Sequence, residues 1–141
     1  MDTLEQAKPR SKYSEKWQQR FAFFDLHGAP NSPAYKPALA ELPFNQKLKI
    51  NMNVIAFFFG PIYWFVLGLW KKNLTLIALI IVVSTVVDLI IEWTGFPYQK
   101  QIDFGVGFGF NVIYGVATNY AYYLKEIKGE QGWSPFKGMR W

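Results

Sequence analysis

The sequence predicts an all-α integral membrane protein with three transmembrane helices and an amphipathic helix near its amino end. Three apolar runs, at 52–70, 74–91 and 104–124, carry this prediction. Lysines follow the first and third runs directly, and aromatic side chains make up 19% of the 141 residues. Rings of this kind suit a membrane–water boundary, where one edge stays wet while the body lies in lipid. The mean hydropathy of +0.04 conceals the division, because residues 1–50 and 125–141 are polar and charged. A helix needs about 20 residues to cross a bilayer core, and each run comes close to that length.

Residues 1–13 form a basic lead with Lys8, Arg10 and Lys12. Ser14 is placed to cap a helix of about 14–26, with Gly28 and Pro30 placed to stop it. Trp17, Phe21 and Phe24 recur on one helical face, while Lys16, Gln19 and Arg20 fall largely elsewhere. A helix with aromatics on one side and bases on the other suits the membrane surface, which assigns Trp17, Arg20, Phe21 and Phe24 to it. Packing of the same stripe on the rest of the chain is the equal alternative. Pro30, Pro33, Pro37 and Pro43 break up any long helix over 28–44 and predict a linker with one short turn at most.

In the first apolar run, Gly60-Pro61 predicts a kink, because Pro61 lacks the donor that the carbonyl four residues earlier requires. The competing arrangement makes 52–70 a re-entrant or interfacial hairpin, which leaves two true spans. A soluble bundle fits less well, since three such runs would leave large apolar surfaces exposed. Residues 74–91 are rich in β-branched side chains that favour strands in water. In lipid every backbone group must pair internally, so helix is expected there too. Trp93, Tyr98 and Lys100 mark 92–103 as an interfacial loop, and the Gly-rich basic tail 129–141 is expected to be mobile. The first 50 residues lack the short apolar run of a secretory signal, so the amino end is expected to stay on the protein.

Orientation is finely balanced. Three spans place Lys36, Lys47, Lys49 and Lys100 on one side, against Lys71, Lys72, Lys125, Lys128, Lys137 and Arg140 on the other. Counting the basic lead reverses the lean of the positive-inside rule. A long polar amino segment is awkward to export, which favours a cytoplasmic amino terminus.

Absence of cysteine excludes disulfides, thiol catalysis and thiolate metal sites. His27, the sole histidine, stands at a helix end where the carboxyl-end dipole favours it. One histidine without clustered carboxylates does not point to a metal. Ser84, Asp88 and Glu92 share one helical face, with Thr85 beside it. Folding the last two apolar helices back to back brings Ser84 to the depth of Asn111 and Asp88 near Gly107. A carboxylate inside a span is costly, so Ser84, Asp88, Glu92 and Asn111 form a candidate proton- or cation-binding stripe. The plainer reading has Asp88 reach headgroup water and join helices. Gly105 with Gly109, and Gly107 with Gly115, read as helix-packing glycines. They lack the spacing, the strand and the lysine of a phosphate-binding loop.

The run from Asn53 to Trp64, with Ala56, Phe57, Phe58, Phe59, Gly60 and Pro61 at its centre, is followed by Gly68-Leu69-Trp70-Lys71-Lys72. It resembles the signature of a bacterial inner-membrane family known as domain of unknown function 2628 (DUF2628). Gly115, Asn119, Tyr122 and Tyr123 stand where that family has a Gly/Asn/Tyr-rich final helix, and Trp17, Arg20, Phe21 and Phe24 resemble its amino-terminal lead. The resemblance implies location and shape, a multi-pass protein of the bacterial inner (cell) membrane, and brings no activity. No catalytic, cofactor-binding or metal residue is therefore assigned. No enzyme, no cofactor and no nucleic acid is expected. The expected partners are the bilayer with its anionic lipids, and a membrane protein or a second copy of the chain. The expected function is a non-catalytic accessory or assembly partner of a membrane complex. The alternative is a small oligomeric transport or ion-conducting module that uses the Ser84/Asp88/Glu92 face.

Overall fold

The computed structural model describes residues 12–139, and all regular structure among them is α-helical. The helices are α1 (Glu15–His27), α2 (Tyr35–Ala40), α3 (Phe44–Asn51), α4 (Val54–Val66), α5 (Trp70–Thr94) and α6 (Gln99–Glu126). Lys8 and Arg10 of the basic lead, and Arg140, lie outside the described residues.

Local chemistry fixes α1 as its sequence predicts. Ser14 Oγ accepts the amide of Trp17, and the chain turns out at Gly28, whose φ of 81° suits glycine. The aromatic face is turned onto the rest of the chain, the alternative weighed for it. Phe21 and Phe24 are buried against Tyr120, Tyr122 and Tyr123 of α6 and Tyr35 of α2. Arg20 is also buried, and of the four residues assigned to the surface only Trp17 is left half-buried. The last turns of α6 offer a tyrosine surface that matches the stripe, and burial of each phenylalanine contributes about 1.5–3 kcal/mol.

The proline-rich stretch is more ordered than a linker. Pro37 sits in the first turn of α2 and Pro43 caps α3, positions where a missing amide costs nothing. The Tyr35 hydroxyl donates to Asn51 Oδ1 at 2.8 Å and draws α2 onto α3.

Between α3 and α4 the backbone is extended at Met52 and Asn53, so helical bonding is interrupted. Side chains supply the lost partners. Asn119 Nδ2 donates to the carbonyls of Lys49 and Ile50 at 3.1 and 3.0 Å. Asn53 Nδ2 donates to Asn119 Oδ1 at 3.2 Å, while Asn53 Oδ1 caps α4 by accepting the Ala56 amide. The Asn53 amide itself reaches the Gly115 carbonyl at 2.8 Å.

Two residues before Pro61 the helix leaves its regular path, with Phe59 at φ −125°, ψ 26°. Neighbours along α6 trace the result. Asn53 lies beside Gly115 and Asn119, and the Phe57 ring is 5.6 Å from that of Phe108. Gly60 presses on Tyr114, Trp64 Nε1 donates to Thr118 Oγ1 at 2.6 Å, and Gly68 meets Lys125. The segment thus descends along α6, turns near Gly60-Pro61 and climbs back, a shallow V whose first end lies beside Gly115 and Asn119 and whose second reaches Lys125. Gly60 is required at the turn, because a Cβ there would stand 2.4 Å from the Tyr114 ring.

From Trp70, α5 runs antiparallel to α6, with Asn73 opposite Tyr114 and Asp88 opposite Asp103. Asn73 joins three helices: its Nδ2 donates to the Pro61 carbonyl and its Oδ1 accepts from the Tyr114 hydroxyl, both at 2.8 Å. Gly95, with φ of 68°, ends α5 in a left-handed cap.

Among the described residues, two stretches are long and apolar enough to cross a membrane, Phe44–Val66 and Trp70–Thr94, not the three expected. The first is broken at Met52-Asn53. The second is the more apolar, and only 11% of its most apolar window is covered by the rest of the chain. The tail, expected to be mobile, is packed: Pro135 and Met139 are buried, and the Gly138 carbonyl accepts the Asn31 amide at 3.0 Å. It closes the open end of the core formed by Trp64, Leu69, Leu76, Ala117 and Ala121.

Asn119→Leu should destabilise the protein by about 2–5 kcal/mol, because it strands two carbonyls and the Asn53 amide group at once. Chemical denaturation in detergent measures this, and an unchanged midpoint would refute the network's role. Lys137 donates to Glu130 at 2.6 Å and holds its carboxyl below the ordinary value of 4.5. A depressed carboxylate adds stability above its unfolded value, and that stability fades as pH falls through the folded one. The Gly138 amide signal should follow this titration, and Lys137→Gln should move its midpoint up toward 4.5.

Candidate functional site

The helical repeat sets up two polar rows that face each other across α5 and α6. Ser84 and Asp88 are one turn apart on α5, while Asp103, Gly107 and Asn111 are spaced by single turns on α6. Antiparallel packing brings these rows round a cleft of about 410 Å³, which Gln99 and Tyr114 also line. Gly107 leaves the cleft open, since a Cβ there would meet nothing within 4 Å.

Ser84, Asp88 and Asn111 therefore come together as the sequence places them. Glu92 does not line the cleft and lies exposed toward the 95–98 turn. The Thr85 hydroxyl turns back onto the Ile81 carbonyl at 2.7 Å. Asp103 was missed: assigning 92–103 to a loop hides that α6 already begins at Gln99. The signal that could have found it is the four-residue spacing of Asp103, Gly107 and Asn111.

Two carboxylates face this cleft and no lysine or arginine lines it. Such a set can hold a proton or a hydrated cation between oxygen ligands. Among the described residues no group of three His, Cys, Asp or Glu side chains stands ready for a metal ion. Ser84 shares the cleft with carboxylates but with no histidine, so a nucleophile–base pair is not assembled there. His27 closes α1 with its ring 4.7 Å from that of Phe23.

Of the four glycines assigned to helix packing, Gly115 alone does this within the chain. A Cβ at Gly115 would crowd Met52 and Phe57 at 3.3 Å, whereas one at Gly105, Gly107 or Gly109 would meet open space. Residues 101–109 of α6 are all exposed or half-buried, and these three glycines fall among them.

A second charged group lies at the other end of the molecule. Arg20 Nε donates to the Lys49 carbonyl at 2.6 Å, and the guanidinium lies 4.6 Å over the Trp17 ring. Removal from water disfavours the charged form and pulls Arg20 down to about 10.

The described residues define an all-helical fold with two stretches long and apolar enough to cross a membrane. The family model described as Protein of unknown function (DUF2628) matches residues 6–128, and the chain belongs to that family. An uncharacterized protein YigF from Salmonella typhimurium strain LT2 is 43% identical over 126 residues, covering 86% of this chain and 90% of the relative. The uncharacterized protein YigF of Escherichia coli K12 is 41% identical over 125 residues, with the same shares covered. No solved structure matches.

Asp88 is exposed and opposes no cation in the cleft, so Asp88→Asn should change stability by about 0.5 kcal/mol or less. A thermal melt in detergent checks this. A large loss would instead assign Asp88 to the framework.

Proposed function

We propose that this protein is an integral protein of the bacterial inner membrane, non-catalytic, and an accessory or assembly partner of a membrane complex. The observation that carries this reading is a belt of apolar side chains which none of the described elements covers. Phe58, Ile62 and Val66 of α4, Ile81, Leu89 and Trp93 of α5 and Phe104 of α6 are all exposed, Trp93 by 88%. A soluble monomer rarely leaves so extended an apolar surface in water.

The topology that best fits the V of α4 has two spans and a re-entrant segment, in place of three spans. In it α5 crosses the bilayer and α6, less apolar than the two candidate stretches but free of charge from Phe104 to Leu124, returns. α1 to α3, the start of α5 and the tail then share one side. Under this arrangement the charge count leans clearly one way. Lys36, Lys47, Lys49, Lys71, Lys72, Lys125, Lys128 and Lys137 gather on that side, and among the described residues Lys100 alone falls on the other. The positive-inside rule then makes both ends cytoplasmic. The uncovered belt supports an accessory role, since it offers room for a partner's helices.

The cysteine-free chain lends itself to single-cysteine labelling in intact cells. Pro97→Cys should react with an impermeant maleimide from outside, and Asn45→Cys and Ser134→Cys only after permeabilisation. Three spans would put 45 and 134 on opposite sides, so a split result would refute the re-entrant topology.

Mild extraction of the tagged protein, followed by mass spectrometry of intact complexes, tests the role itself. A stoichiometric foreign partner is the expected outcome. The Ser84/Asp88/Asn111 cleft favours one other reading, a small transport module that works as an oligomer. A homo-oligomer without partner would support it, and Asp88→Asn should then abolish cation flux in liposomes.

A further inference from the structure

We propose that the cleft between α1 and the α3–α4 junction binds the phosphodiester headgroup of an anionic phospholipid, with Lys16, Arg20 and Lys49 as its ligands. The inference rests on the membrane reading above and adds a specific site to it. The cleft holds about 400 Å³, and its lining carries three bases and no acid. Arg20 is the central group. It is only 5% exposed, yet no carboxylate among the described residues pairs with it. A cation taken out of water without a counter-charge is costly, and a bound anion would offset that cost. Its hydrogen bond to the Lys49 carbonyl uses Nε, which leaves the terminal nitrogens of the fork for a ligand. Two such parallel donors match two phosphate oxygens. The Trp17 ring beneath the guanidinium keeps that fork in one plane.

The shape of the cleft separates a lipid phosphate from a free one. Below the bases the wall becomes apolar, with Val54 and Ile55 exposed by 61% and 52%. These side chains stand where acyl chains descend from a headgroup held at Arg20. A soluble phosphate ion would gain nothing from them. Trp17 and Tyr63 also line the cleft, each with an apolar body and a polar edge suited to the headgroup depth.

The test uses the full chain in mild detergent, titrated with phosphatidylglycerol or phosphatidylcholine and read by native mass spectrometry of lipid adducts. Wild type should hold phosphatidylglycerol selectively. Replacing both exposed lysines, Lys16→Gln with Lys49→Gln, should weaken that binding about 30-fold, about fivefold per charge. Lys100→Gln, at the far end of the molecule, should leave it unchanged. Arg20→Gln should abolish selectivity; because Arg20 also ties α1 to α3, the lysine pair decides the matter if that variant fails to fold. Unaltered binding in the lysine double variant, or equal weakening in Lys100→Gln, would overturn the site. Displacement of the lipid by millimolar inorganic phosphate would overturn the lipid assignment in favour of a free anion. Carbonate extraction separates the two levels of failure. Protein released into the aqueous fraction refutes the membrane reading itself, whereas inserted protein without lipid selectivity refutes this site alone.

Discussion

Asn119 holds two carbonyls with one amide nitrogen, and the rest of the architecture follows from the need it meets. A helix interrupted at Met52-Asn53 and bent at Phe59 leaves backbone groups without intrahelical partners, in a part of the molecule where water is scarce. Asn119 from α6, Asn53 at the break and Asn73 from α5 answer that need, and all three are buried. Each can both donate and accept, which a serine does less completely and an ionised side chain cannot do. Because Asn73 binds the Pro61 carbonyl and Tyr114 together, the bend in α4 also fixes where α5 begins relative to α6. Trp64 and Thr118 then seal the returning arm.

The amino-terminal module depends on the same end of α6. Tyr120, Tyr122 and Tyr123 project their rings toward Trp17, Phe21 and Phe24, and the Tyr123 hydroxyl donates to Asp25 at 2.6 Å. Aromatic pairs in edge or tilted contact contribute beyond the area they bury. Burial also drives the Tyr35 hydroxyl above its ordinary range, which keeps it protonated and able to donate to Asn51. The outcome is a small helical cap, continuous with the apolar hairpin through α6.

Local signals were legible in the sequence. The cap at Ser14, the stop at Gly28 and the bend at Gly60-Pro61 depend on neighbours a few residues away, and each stands as read. That Ser84, Asp88, Gly107 and Asn111 line one cleft was legible too, because an antiparallel hairpin leaves little freedom once its turn is placed. What escaped notice was set by partners far along the chain. An aromatic stripe looks the same whether it meets lipid or Tyr123, and only the fold decides. Nothing local to Asn53 signals Asn119, 66 residues on, so a bend could be read where a reversal could not. The tail was misjudged for the same reason, since Gly138 is ordered by Asn31.

The V of α4 also has a consequence for shape. Inserted as proposed, the molecule places both arms of α4, α5 and α6 in one leaflet, and only α5 and α6 in the other. In that topology its cross-section would be unequal between the two leaflets, which would make the inserted molecule a wedge. A wedge spreads the lipids of one monolayer more than those of the other and is most comfortable where the membrane curves to match. The asymmetry comes from a glycine, a proline and three asparagines, and needs no bulky domain to produce it.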